Sequence, residues 1–219
     1  MTGKVSPLLW WILAGGLLNG AEAIIEAADP VAVALFDGKT FTGWEGDTKS
    51  TWRIEEGAIV GGSLTTVVPR NEFLCTTSRY EDFELTVEFR LEGDPAKANA
   101  GIQFRTERIP NHQEVIGYQA DIGQQYWGAL YDESRRKKVL AAPNPSTIKQ
   151  IIKKDDWNQY TIRCQGPRIR LTLNGTTTVD YTESEPNIPR TGLIGLQVHG
   201  GGKTLVRYKN IKIKELTKK

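Results

Sequence analysis

Polar and apolar residues alternate along most of this chain with a period of two, the repeat of side chains on a β-strand. The longest run is FELTVEFRL (83–91), with Phe83, Leu85, Val87, Phe89 and Leu91 on one side and Glu84, Thr86, Glu88 and Arg90 on the other. Similar runs are GIQFR (101–105), GYQADI (117–122), WNQYTIRC (157–164), RIRLTLNG (168–175), TTTVDY (176–181), GLIGLQVHGG (192–201) and LVRYKNIKIKEL (205–216). Turn signals separate them: Glu-Glu-Gly at the tip of TWRIEEGAIVGG (51–62), Asn174-Gly175, and the turn-rich LFDGKTFTGWEGD (35–47). The long polar connection at 132–156 holds only a weak helical stretch near 146–154. Strands of the same character flank it, so it marks no domain boundary. Many short strands and little helix predict an all-β sandwich of two packed antiparallel sheets. The period places Phe83, Leu85, Val87, Phe89, Ile102, Phe104, Ile162, Leu171, Leu196 and Val198 between the sheets.

The polar sides of these strands are not alike. Strand 83–91 carries the Glu, Thr and Arg of an ordinary wetted surface. Three others carry Gln103 and Arg105, Gln119 and Asp121, and Gln197 and His199. Amides, a guanidinium, a carboxylate and an imidazole on one side of three strands predict one concave binding face.

Composition narrows the class. The 219 residues suffice for one larger all-β domain with a real core. A net charge of +2 offers no basic field for nucleic acid. LLWWILAGGLL (8–18), preceded by Lys4 and followed by Ala21-Glu22-Ala23, reads as a secretory signal peptide over 1–23. A retained anchor is the alternative. The run is short for a span of roughly twenty residues, and no later segment is apolar enough to cross a bilayer. The mature chain is therefore expected to be exported, periplasmic or extracellular, with a lead-in at 24–34 and a domain at 35–216. Export permits a Cys75–Cys164 disulfide, but two buried free thiols are the simpler expectation. Their spacing matches no zinc pattern.

FDGKTFTGWE, YEDFELTVEFR, NAGIQFR, GYQADIG, YWGALYDESRR, DDWNQYTIRC, LNG and GLIGLQVHGG, in this order, resemble the 3-keto-disaccharide hydrolase domain family. The resemblance covers 35–216 and implies a concanavalin A-like jelly roll. It also implies action on glycosides already oxidised at C3, by elimination and hydration with net hydrolysis. A separate oxidoreductase would supply the keto sugar, so no redox cofactor is needed here.

The residues suit that chemistry better than direct hydrolysis, which usually needs two carboxylates flanking the bond. The E-x-D-x-x-E strand of laminarinase-type jelly rolls is absent, and Asp132 and Glu133 fall just past a strand end. A 3-keto sugar needs a base for the C2 proton, a donor for the enolate oxygen and a proton for the leaving group. Asp121 or His199 would be the base and Arg105 the enolate partner. Gln103, Gln119 and Gln197 would bind hydroxyls, with Glu133 beside them, and Trp127 and Tyr131 would stack on the sugar. Asp121, His199 and Glu133 could together hold a divalent cation.

Each residue also has a plainer use. His199 can be a loop-edge histidine bonded to backbone, and Arg105 a structural ion pair with Glu107 or Asp121. Trp127 and Tyr131 suit core or rim. His112, Glu114 and the run RRKK (135–138) suit a solvated loop. The rival function is a non-catalytic carbohydrate-binding module.

Overall fold

The period-two segments become strands in the computed structural model, which describes residues 1–3 and 30–217. The leader expected at 1–23 falls almost wholly outside the described residues. In chain order the strands are β1 (Val33–Ala34), β2 (Trp44–Glu45), β3 (Trp52–Glu55), β4 (Ala58–Gly62), β5 (Glu72–Thr76), β6 (Phe83–Gly93), β7 (Asn99–Arg108) and β8 (Val115–Gly123). After a 3-10 turn at Gln124–Tyr126 come β9 (Leu130–Glu133), β10 (Lys138–Ala141), helix α1 (Pro145–Ile151), β11 (Asn158–Gln165), β12 (Arg168–Leu173), β13 (Thr176–Thr182), β14 (Leu193–Val198) and β15 (Thr204–Glu215). The short strands β1, β2 and β10, and strand β5, were not among the expected elements.

All pairings are antiparallel. One sheet runs β13-β12-β11-β6-β15-β4-β3, with β1 also on β15. The other runs β10-β9-β8-β7-β14-β5-β2. Interleaving of early and late strands makes this a jelly-roll sandwich rather than a meander. The two expected tight turns form with left-handed backbone, at Glu56-Gly57 and at Asn174-Gly175.

The ten inward residues named above are all fully buried in one core between the sheets. Each such side chain contributes on the order of 2 kcal/mol by leaving water. Two tyrosines carry polar tips across that core. Tyr160 of β11 donates to the Asp121 carbonyl at 2.7 Å, and Tyr208 of β15 donates to the Gln197 carbonyl at 2.7 Å. The eight-stranded sheet thus holds the backbone of the other at two points.

Cys75 and Cys164 are buried free thiols, and burial pushes them up to about 11 and about 12. Of the RRKK run only Lys137 and Lys138 are exposed. Arg135 and Arg136 instead converge on fully buried Asp132, and Arg136 also pairs with Glu183 at 2.6 Å. A buried carboxylate needs such partners, which is why these two cations leave the solvent. Among the described residues no helix is long and apolar enough to cross a membrane.

Candidate functional site

Cross-strand register builds the outer face of the seven-stranded sheet row by row. Gln119 of β8 lies opposite Tyr131 on β9 and Gln103 on β7. In the next row Asp121 lies opposite Gly101, which lies opposite Gln197 of β14. In the third Asn99 faces Gly123, and the His199 N–H donates to the Asn99 carbonyl at 3.1 Å. Glycine at 101 matters, because a Cβ there would overlap the carboxamide of Gln119. Its absence lets Gln119 lie across the sheet toward Asp121.

A cavity of about 170 Å³ opens on this face, lined by Asn71, Asn99, Gln119, Asp121, Gln124, Tyr126, Tyr131, Glu133 and His199. The structure therefore brings together five residues expected at the site: Gln119, Asp121, Tyr131, Glu133 and His199. Asn71, Asn99, Gln124 and Tyr126 were not anticipated. Each sits at a strand end or in a turn, where alternation carries no signal.

Of the two acids lining the cavity Asp121 is the more deeply buried, only 4% exposed. Gln103 donates to the Gln119 oxygen at 2.5 Å, and Gln119 donates to the Asp121 carboxyl at 2.8 Å. The two amides thus form one directed chain ending on the acid. Asn99 also bonds Asp121. These bonds favour the carboxylate, but desolvation outweighs them, and negative charge on Glu133 adds to it. Asp121 is pushed up to about 8. Glu133, half-buried, is pushed up to about 7, first by desolvation and then by Glu114. Desolvation and the Glu133 charge also raise Tyr131, so its hydroxyl keeps its proton and can donate. Desolvation raises both acids, and Asp121, the more deeply buried, is raised further.

His199 is fixed by backbone. Its Nδ1 lies 2.7 Å from the Gly200 carbonyl, which can only accept, so Nδ1 carries hydrogen and Nε2 is left to act. Asn71 accepts from the Gly200 N–H at 3.0 Å and steadies this turn.

Four expected residues take other places. Gln103 and Gln197 belong to the correct rows but are fully buried beneath the cavity rather than lining it. Both amide atoms of Gln197 lack a hydrogen-bond partner among the described residues. Arg105 leaves the face altogether. A bulge between Phe104 and Glu107 interrupts the β7–β8 register, and Arg105 adopts φ 46°, so alternation fails there. Its guanidinium donates to the carbonyls of Glu81 and Gly166 and to Asp82 at 2.8–3.0 Å. It is a structural clamp between the sheets. The ion pair is with Asp82, not with Glu107 or Asp121. Trp127 lies on the far side of the 3-10 turn. It stacks on core residue Phe89 at 6.3 Å and lines a separate groove. Of the remaining candidates, Glu107 pairs with Arg79 and His112 is exposed.

Among the described residues no group of three His, Cys, Asp or Glu side chains is placed to hold a metal ion. The expected trio of Asp121, Glu133 and His199 shares the cavity wall without forming such a cluster.

Two antiparallel sheets, one of them carrying a small cavity of amides, acids and an imidazole on its outer face, define a jelly-roll sandwich. Residues 31–214 match the model of the 3-keto-alpha-glucoside-1,2-lyase-like domain, and the chain belongs to that family. Among solved structures it is similar to a glycosyl-hydrolase candidate from Parabacteroides distasonis, at 22% identity and TM-score 0.64, over 85% of this chain and 94% of that one. It is also similar to a carbohydrate-binding module from Bacillus subtilis, at 16% identity and TM-score 0.61, over 79% and 96%. At such identities the likeness is one of fold. No curated protein matches the chain.

Proposed function

We propose that this protein is an exported enzyme that cleaves glycosides already oxidised at C3, by elimination followed by hydration. The observation that carries the reading is the pair of acids, Asp121 and Glu133, raised to different heights in one amide-lined cavity. Two carboxyls whose environments separate them supply an acid and a base together.

The sequence alone suggests Asp121 or His199 as base; because burial raises Asp121, this reading gives that role to Glu133. Ionised Glu133 removes the C2 proton, and the electron pair moves onto the C3 ketone oxygen as an enolate. Tyr131, a protonated donor on the wall, takes the enolate role first assigned to Arg105. The pair then returns to form a C1–C2 double bond as the C1–O bond breaks. Asp121 gives its proton to the departing oxygen. For hydration, Asp121 takes a proton from water as the oxygen adds at C1, and Glu133 returns its proton to C2. The sum is glycoside plus water to free keto sugar plus alcohol, with both acids reset. Gln119, Asn99 and Asn71 are suited to sugar hydroxyls. His199 presents Nε2 to the same space.

A separate oxidoreductase would supply the substrate, and no redox step occurs here. The charge-flanked apolar segment of the leader supports export.

The test is incubation with 4-nitrophenyl 3-keto-glucoside beside the unoxidised parent. Nitrophenolate released from the keto form alone is the expected result. Release from the parent would mean ordinary two-carboxyl hydrolysis. Binding without release from either would favour the rival, a binding module, which the amide-rich lining also suits.

A further inference from the structure

The polar cavity is small. Its 170 Å³ lies below the roughly 300 Å³ at which pockets for whole ligands begin. It therefore houses part of a ligand. On the other side of the Gln124–Tyr126 turn lies a larger groove of about 470 Å³, walled by Trp127, Pro143, Ile148 and Ile152. Gln124 lines both spaces, so the turn is a shared rim between them. Its carboxamide is pinned by a bond to the Lys97 carbonyl at 3.0 Å.

The two spaces differ in chemistry. The cavity offers amides and acids, which suit hydroxyls. The groove offers an indole backed by Phe89 and closed by aliphatic side chains of α1 and the segment after it. Lys149 and Lys154 stand at its edge. A flat apolar body fits such walls.

We propose that the groove is a subsite for a planar aromatic aglycone, so that the substrate is an aryl glycoside with its sugar in the polar cavity and its ring on Trp127. This rests on the cleavage reading above for its orientation, but binding tests it separately. Gln124 sits where the glycosidic linkage crosses the rim. A methyl glycoside would fill the cavity and leave the groove unused.

The experiment titrates the unoxidised parents, 4-nitrophenyl glucoside and methyl glucoside, into the protein, and follows cleavage of their 3-keto forms in parallel. The wild type should bind the aryl compound about tenfold more tightly, the scale of one aromatic stacking contact with its buried area. Trp127→Leu should erase that preference while leaving methyl glucoside affinity within about twofold. Trp127→Phe keeps a ring against Phe89 and serves if the leucine variant does not fold; it should reduce the preference a few-fold. Equal affinity for both parents in the wild type, or an aryl preference untouched in the folded variants, overturns the subsite. An aryl preference that Trp127 controls, without cleavage of either keto form, upholds the subsite and sinks the cleavage reading.

Discussion

Replacing Asp121 with Asn should make the protein more stable at neutral pH while nearly abolishing its activity. Asp121 titrates at about 8 when folded against a reference of 3.8. Its folded value is raised, so its contribution to stability is fully present below about 3.8 and is lost as pH climbs through about 8. At pH 7 the chain has passed roughly three pH units above the unfolded value, at ~1.36 kcal/mol each, a penalty on the order of 4 kcal/mol. Asparagine cannot ionise and removes it. Against this stands one donor of Gln119 or Asn99 that would face an amide N–H, a loss of about 1 kcal/mol. The net gain of about 3 kcal/mol corresponds to a melting point higher by about 10 °C for a domain of this size. The gain should shrink toward zero or below near pH 4, where both chains carry a neutral side chain. Thermal unfolding of the two proteins across pH 4–8.5 measures this, alongside turnover of a 3-keto-glucoside. Turnover should fall on the order of a hundred- to ten-thousand-fold. A variant destabilised equally at every pH would refute the account of Asp121 as a strained, protonated acid.

The rate should follow a bell, rising as Glu133 ionises near about 7 and falling as Asp121 loses its proton near about 8; a rate that climbs steadily through pH 9 would return the role of base to Asp121. Arg105→Ala should cost about 3–5 kcal/mol by stranding Asp82 and two carbonyls, with turnover per folded molecule unchanged, as read by denaturant unfolding and active-site-normalised rates. Gly101→Ala should displace the Gln119 carboxamide from Asp121 and lower the rate at least tenfold; a wild-type rate in the folded variant would show that the amide chain does not position the acid.

Alternation made the sandwich legible, because a half-buried strand must put apolar residues on one side. It also singled out Gln119 and Asp121, because β8 pairs with β7 in unbroken register from Tyr118 onward. It failed at Arg105 because the bulge there has no glycine or proline to announce it. Asn71 and Asn99 enter the cavity from strand ends, and Gln124 and Tyr126 from a turn, so their roles depend on which strands become neighbours. Burial was the second hidden quantity. Gln103 and Gln197 lie on the expected side, yet other side chains cover them. Burial also raises Asp121, which is why the proposed mechanism uses it as the proton donor. Trp127 was ambiguous in the chain, since an indole beside a site looks the same whether it lines the cavity or props a neighbouring wall.

The polar rows are assembled by ladder register, whereas the groove is walled by a 3-10 turn, a seven-residue helix and the segment after β10. A single inserted residue within β7, β8 or β14 would turn every later side chain of that strand to the opposite face, and the acid, its amides and the imidazole would part company. The rim faces no such constraint, because turns and short helices absorb changes of length. Descendants of this chain are therefore free to change the size and chemistry of what lies beyond Gln124 by gaining or losing residues. Alteration of the acid pair must proceed one substitution at a time.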